Sequence, residues 1–324
     1  MIARKHYGET DFITGLRAFA ALSVGMIHAG GAGLREFGAA GNALADLGKA
    51  GVYVFFVISG YSVSASFKQS GSYGQYLNKR IWRLAPLYYF WIIAAVAFEI
   101  NNSYWLEKFS VSIDTYNILM HMFFIGFFDY RITNSILGVE WSLSIEFFWY
   151  LLLPFIAERI VTNRQSFYLI ATSFIAYWIF VKHGYKLFPF EKHEAKLAMH
   201  WSPLPYCFSY CAGIAAYKIR ESTKKSINKS NTVLFASLLT IFLYANYPNE
   251  KIEYFMMTVI TFFMITYEKG SGTLISRLFA SRPMVYLGTI SYGIYLSHMP
   301  VMIALKKAGI IEADPIAGGG GVIW

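Results

Sequence analysis

Nine apolar runs, separated by short segments in which the basic residues collect, limit what this chain can become: 12–29, 47–67, 81–100, 136–157, 167–182, 201–219, 231–247, 252–267 and 283–305. Each comes close to the roughly 20 apolar residues that an α-helix needs to cross a bilayer. The stretch 116–128 (YNILMHMFFIGFF) is apolar but short, the length of a re-entrant or interfacial segment. Composition closes the soluble alternatives. Only 15% of the 324 residues are charged and 56% are hydrophobic, whereas a soluble domain carries roughly 25% charged residues. The same numbers exclude disorder, collagen and coiled coil. The expectation is an all-α polytopic integral membrane protein, a single bundle of about nine to ten transmembrane helices. No linker or internal repeat divides it, so residues 1–324 read as one domain with a tail at 306–324.

The net charge of +9 does not point to nucleic acid, because the cations lie in the connections between apolar runs, where a membrane protein records its orientation. With Arg4 and Lys5 cytoplasmic and 116–128 not crossing, the cytoplasmic connections are 68–80, 158–166, 218–230 and 268–282. These hold the densest basic clusters, including KIRESTKKSINK at 218–229. The arrangement puts the N-terminus in the cytoplasm and the C-terminus outside, together with the four lysines of 182–200. Cys207 and Cys211 share a helix face, but two thiols alone make a poor metal site, so they read as small core residues and no metal is expected.

A charge inside a span costs roughly 2.5–3.5 kcal/mol on insertion scales and is a functional candidate by default. Arg17 and His28 lie in the first run, Glu146 in the fourth and His298 in the last. Eleven residues separate Arg17 from His28, about 16 Å at 1.5 Å per residue, so they are not partners. Arg17 falls toward the cytoplasmic end, where it either snorkels or serves the site. His28 falls near the outer end. Glu146, among Trp141, Phe147, Phe148 and Trp149, has to pair with a cation or be protonated. Arg80 and Arg83, one turn apart in NKRIWRLAP, read either as positive-inside anchors or as a phosphate clamp, since guanidinium forks match phosphate oxygens. Ser59 and Gly60 read as helix-packing residues or as the lining of a channel.

In this order, GLRAFAALSVGMIHA, GVYVFFVISGYSVS, KRIWRLAPLYY, WSLSIEFFWYLLLPF and YLGTISYGIYLSHMPV resemble the helices of the membrane acyltransferase-3 family, polytopic O-acyltransferases of bacterial surface polysaccharides. Five ordered blocks over 14–301 carry the resemblance. Thr14 stands where the family usually has an acidic residue or asparagine. One further apolar helix, usual in the family after the last block, is lacking here.

The resemblance implies transfer of an acyl group, most often acetyl, from acetyl-CoA in the cytoplasm to a carbohydrate hydroxyl on the outer side of a bacterial inner membrane, with no tightly bound cofactor. The partners implied are acyl-CoA, an extracytoplasmic carbohydrate such as O-antigen or exopolysaccharide, and the lipid bilayer. His28 becomes the general base for the acceptor hydroxyl and Glu146 the carboxylate supporting it. Arg17, Arg80 and Arg83 would hold the phosphates of CoA, Ser59 and Trp141 would line the passage, and Tyr295 and His298 would complete the acceptor side. The alternatives are a transporter or flippase of a sugar-linked substrate, and a membrane subunit without chemistry.

Overall fold

The computed structural model describes residues 10–311 apart from 32, 47, 49, 223–249 and 269–273. The run 231–247, the basic residues 223–229 and most of the tail, including its glycine run, lie outside the described residues. Everything regular among the described residues is helical: α1 Asp11–Gly31, α2 Gly38–Asp46, α3 Ala50–Lys68, α4 Tyr73–Ala97, α5 Ser103–Phe109, α6 Thr115–Met122, α7 Trp141–Arg159, α8 Asn163–His183, α9 Lys192–His200, α10 Cys207–Ser222, α11 Glu250–Tyr267, α12 Leu274–Phe279, α13 Arg282–Thr289 and α14 Ser291–Lys307.

Side-chain caps place several helix starts. Ser72 accepts Gln75 N at 3.3 Å and starts α4 eight residues ahead of the apolar run at 81, which puts Arg80 well inside the helix. Thr162 and Gln165 form a reciprocal capping box on α8. Asp114 caps α6, whose eight residues are too few to cross a bilayer, as its sequence predicts.

Not every described apolar run is a single helix. Residues 136–140 do not join α7, because their amides turn onto the Glu140 carboxylate instead of continuing a helix. The run 283–305 breaks between α13 and α14, where Thr289 Oγ1 bonds back to Val285 O at 2.8 Å and competes with helix continuation. Among the described residues, α1 and α3 qualify by length and apolarity to cross a membrane, with Ile252–Tyr267 shorter. Helices such as α4 and α7 are rich in Trp, Tyr and charge, which lowers their hydropathy; Trp and Tyr favour membrane interfaces.

Central α3 packs on α1, α7, α10 and α11, and α1 also packs on α13 and α14. A close crossing joins α3 and α10. A Cβ added at Gly60 would lie 2.1 Å from Tyr210 O, and one added at Gly213 would lie 2.1 Å from Val57 O. Small residues let two helix backbones meet this closely. Gly213→Leu is therefore expected to cost about 3 kcal/mol or more through overpacking. Loss of the monodisperse peak in detergent size-exclusion chromatography would show it, and an unchanged profile would contradict the crossing. On the outside, α4 exposes Phe90 and Ile93, and α8 exposes Phe167, Ile175 and Ile179, each more than half accessible.

Candidate active site

At one end of α1, α3 and α4 a cavity of about 340 Å³ is lined by Arg17, Lys79, Arg80 and Arg83 with Ser62, Ser66 and Gln69. Four of its lining side chains are cations and none is a carboxylate. Ser62 fixes two of them: Arg17 Nη2 donates to its hydroxyl and Arg80 Nη2 to its carbonyl, each at 2.6 Å. Arg80 is 4% exposed and lies over the rings of Tyr76 and Tyr150, at 5.5 and 5.0 Å from their centroids. Its Nε has no hydrogen-bond partner among the described residues, so a buried guanidinium is held in place with donor capacity to spare.

Arg83 also lines a second, narrow cavity of about 50 Å³. The walls there are Val52, Phe55, Phe56 and Leu84, with Ser142, Glu146, Tyr292 and Tyr295. Glu146 accepts Ser59 Oγ at 2.9 Å and also accepts the Tyr150 hydroxyl, and it interacts electrostatically with Arg17 and Arg83. This differs from the sequence expectation that Glu146 supports His28.

His28 instead sits beside His298, ring centroids 5.2 Å apart. His298 Nδ1 donates to Tyr295 O at 2.6 Å. A carbonyl only accepts, so the neutral ring carries its lone pair on Nε2, and this atom is buried without a hydrogen-bond partner among the described residues. Tyr295 OH donates to Val139 O at 3.0 Å and lies 2.6 Å from Ser142 Oγ.

The fold thus gathers Arg17, Arg80 and Arg83 at one cavity, Glu146 and Ser59 just inside it, and Tyr295, His298 and His28 further along. Trp141 lies behind Phe56 of the narrow cavity's wall, ring centroids 6.3 Å apart. Its ring packs on Trp201 at 5.2 Å and Tyr206 at 5.7 Å, within an aromatic cluster. The motif reading missed Tyr150, Ser142 and Glu140, and took Ser62 only as a small residue for helix packing or a backbone-lined cavity. Glu140 alone carried a sequence signal, as a second carboxylate inside the apolar run that holds Glu146.

The acyltransferase-3 family, through its acyltransferase domain, matches residues 10–323. The chain belongs to this family and is an acyltransferase. Among curated proteins it is 26% identical over 306 residues to a protein of Acidianus two-tailed virus named as an acetyltransferase, ORF330, covering 94% of this chain and 87% of the relative. It is 26% identical to a Bacillus subtilis protein named as a peptidoglycan O-acetyltransferase, YrhL, and 24% identical to the peptidoglycan O-acetyltransferase OatA of Listeria monocytogenes, over 92% and 93% of this chain. The chain spans about half the length of these two relatives, 49% and 50%. No solved structure matches it.

Proposed function

We propose that this acyltransferase is a multi-pass membrane O-acetyltransferase, with its N-terminus in the cytoplasm of a bacterial inner membrane. It takes acetyl from acetyl-CoA at the cytoplasmic face and passes it to a hydroxyl of an extracytoplasmic carbohydrate, such as a surface polysaccharide or peptidoglycan sugar. The observation that carries the reading is the cavity with four cations and no carboxylate in its lining, which suits the clustered phosphates of a CoA thioester. It adjoins the narrow cavity through Arg83, which leads toward Glu146 and Tyr295. The apolar side chains exposed on α4 and α8 support a lipid surround, and the O-acetyltransferases named above support acetyl as the group transferred.

In the reaction, the acceptor hydroxyl gives its proton to His28 as its oxygen attacks the thioester carbonyl. The C–S bond breaks, the C–O ester bond forms, and the proton goes on to the CoA thiolate. His298, with its tautomer fixed, is the second imidazole of this acceptor side.

The test is incorporation of labelled acetyl from acetyl-CoA into base-labile ester by the membrane-embedded protein. Arg80→Lys is expected to raise KM for acetyl-CoA on the order of tenfold with kcat retained, because an ammonium lacks the planar fork. If no acetyl is incorporated at matched membrane abundance, the reading falls and sugar-substrate transport replaces it.

A further inference from the structure

Glu140 is fully buried just ahead of α7, and the proposed reaction makes no use of it. One oxygen, Oε1, accepts Ile136 N at 2.7 Å and Leu137 N at 3.0 Å, and the other, Oε2, accepts Val139 N at 2.9 Å. His121 Nε2 lies 3.5 Å from Oε1. A carboxylate away from water persists only when such donors replace its hydration.

The segment 132–140 that it holds is buried throughout, which is unusual for a connection without regular structure. Its backbone groups therefore have to find protein partners. Asn102 Nδ2 serves Asn134 O at 2.9 Å, and Ser135 Oγ anchors to Asn117 Oδ1 at 3.0 Å. Glu140 serves three of the segment's amides, those of Ile136, Leu137 and Val139.

This segment is the seat of α14. Val139, whose N–H is bound by Glu140, presents its carbonyl to Tyr295 OH at 3.0 Å. Gly138 adopts φ 84°, and a Cβ there would come 3.2 Å from Met299 Cε. Tyr295 and Met299 are one turn apart on the face of α14 that meets the loop. His298 lies between them in sequence and takes its tautomer from Tyr295 O.

We propose that Glu140 is a positioning residue for the imidazole pair. By fixing the backbone on the N-terminal side of Val139 it holds the Val139 carbonyl for Tyr295, and through Tyr295 it sets the height and rotation at which α14 brings His298 to His28. This rests on the reading of His28 and His298 as the acceptor-side groups of acetyl transfer.

The experiment uses the full chain in lipid nanodiscs with three variants: Glu140→Gln, Tyr295→Phe and the double variant. Glutamine keeps the size of the side chain, but its amide turns N–H toward Val139 N–H and loses that bond. Glu140→Gln is expected to lower kcat on the order of tenfold to a hundredfold, the cost of a small misplacement at a reacting centre, with KM for acetyl-CoA unchanged. The double variant should be no worse than the worse single one, because both cut the same chain of contacts. Modification of His298 by diethyl pyrocarbonate, followed by mass spectrometry, should rise severalfold in both single variants. His193, which is exposed, and His200, beside Trp201, should keep their rates.

Wild-type kcat and wild-type His298 reactivity in Glu140→Gln would overturn the proposal, as would multiplicative losses in the double variant. If Glu140→Gln does not fold, Tyr295→Phe alone decides, and normal kcat with normal His298 reactivity there overturns it. If the wild-type chain transfers no acetyl yet His298 reactivity rises in the variants, the positioning stands and the functional reading fails.

Discussion

His28→Ala is expected to abolish acetyl transfer while the protein still accumulates in the membrane at wild-type level. A positioned general base contributes about 10²–10⁴-fold, so residual turnover should fall near the detection limit. The prediction separates chemistry from folding because His28 is half-buried near the end of α1, and truncation there opens no large cavity. The measurement is base-labile acetyl on the surface polysaccharide in three strains: a deletion, the deletion carrying this chain, and the deletion carrying His28→Ala at matched abundance. Acetyl restored by the chain and not by the variant assigns the base. Equal acetyl in both complemented strains removes His28 from the mechanism and leaves His298, 5.2 Å away, as the imidazole that takes the proton. Loss of the protein itself would make His28 a structural residue.

The helical class was legible because apolar runs of span length have few ways to fold, and the run at 12–29 became α1 almost residue for residue. Boundaries were less legible where polar chemistry overrides hydropathy. The α4 start depends on one serine cap, and the α7 start on a carboxylate that collects three amides. Neither is a property of the average apolarity of a run. The arginine cluster was legible one residue at a time through charge inside spans, but its convergence was not, since Arg17 and Arg80 meet on Ser62 across three helices. The Ser59 and Tyr150 contacts of Glu146 were illegible for the same reason. Spacing within α1 shows that Arg17 and His28 are far apart, but not which residues of other helices each one meets.

The second large effect concerns Glu146. Glu146 lies among Ser59, Tyr150, Arg17 and Arg83, so its charge compensates cations that would otherwise repel one another beside the basic cavity. Glu146→Ala is expected to cost about 2 kcal/mol, because the Ser59 and Tyr150 hydroxyls lose their shared acceptor. Against a total stability of roughly 5–15 kcal/mol, this should appear as a large drop in thermal midpoint and in membrane abundance. Glu146→Gln keeps an acceptor for both Ser59 and Tyr150 and should recover much of the abundance, yet with KM for acetyl-CoA altered because the field around Arg17 and Arg83 has changed. Thermal unfolding in detergent and kinetics on the surviving protein measure the two effects separately. A Glu146→Ala protein that accumulates normally and loses only kcat would return the residue to the acceptor side. The carboxylate would then act with His28 through a movement that brings α7 and the outer end of α1 together during turnover.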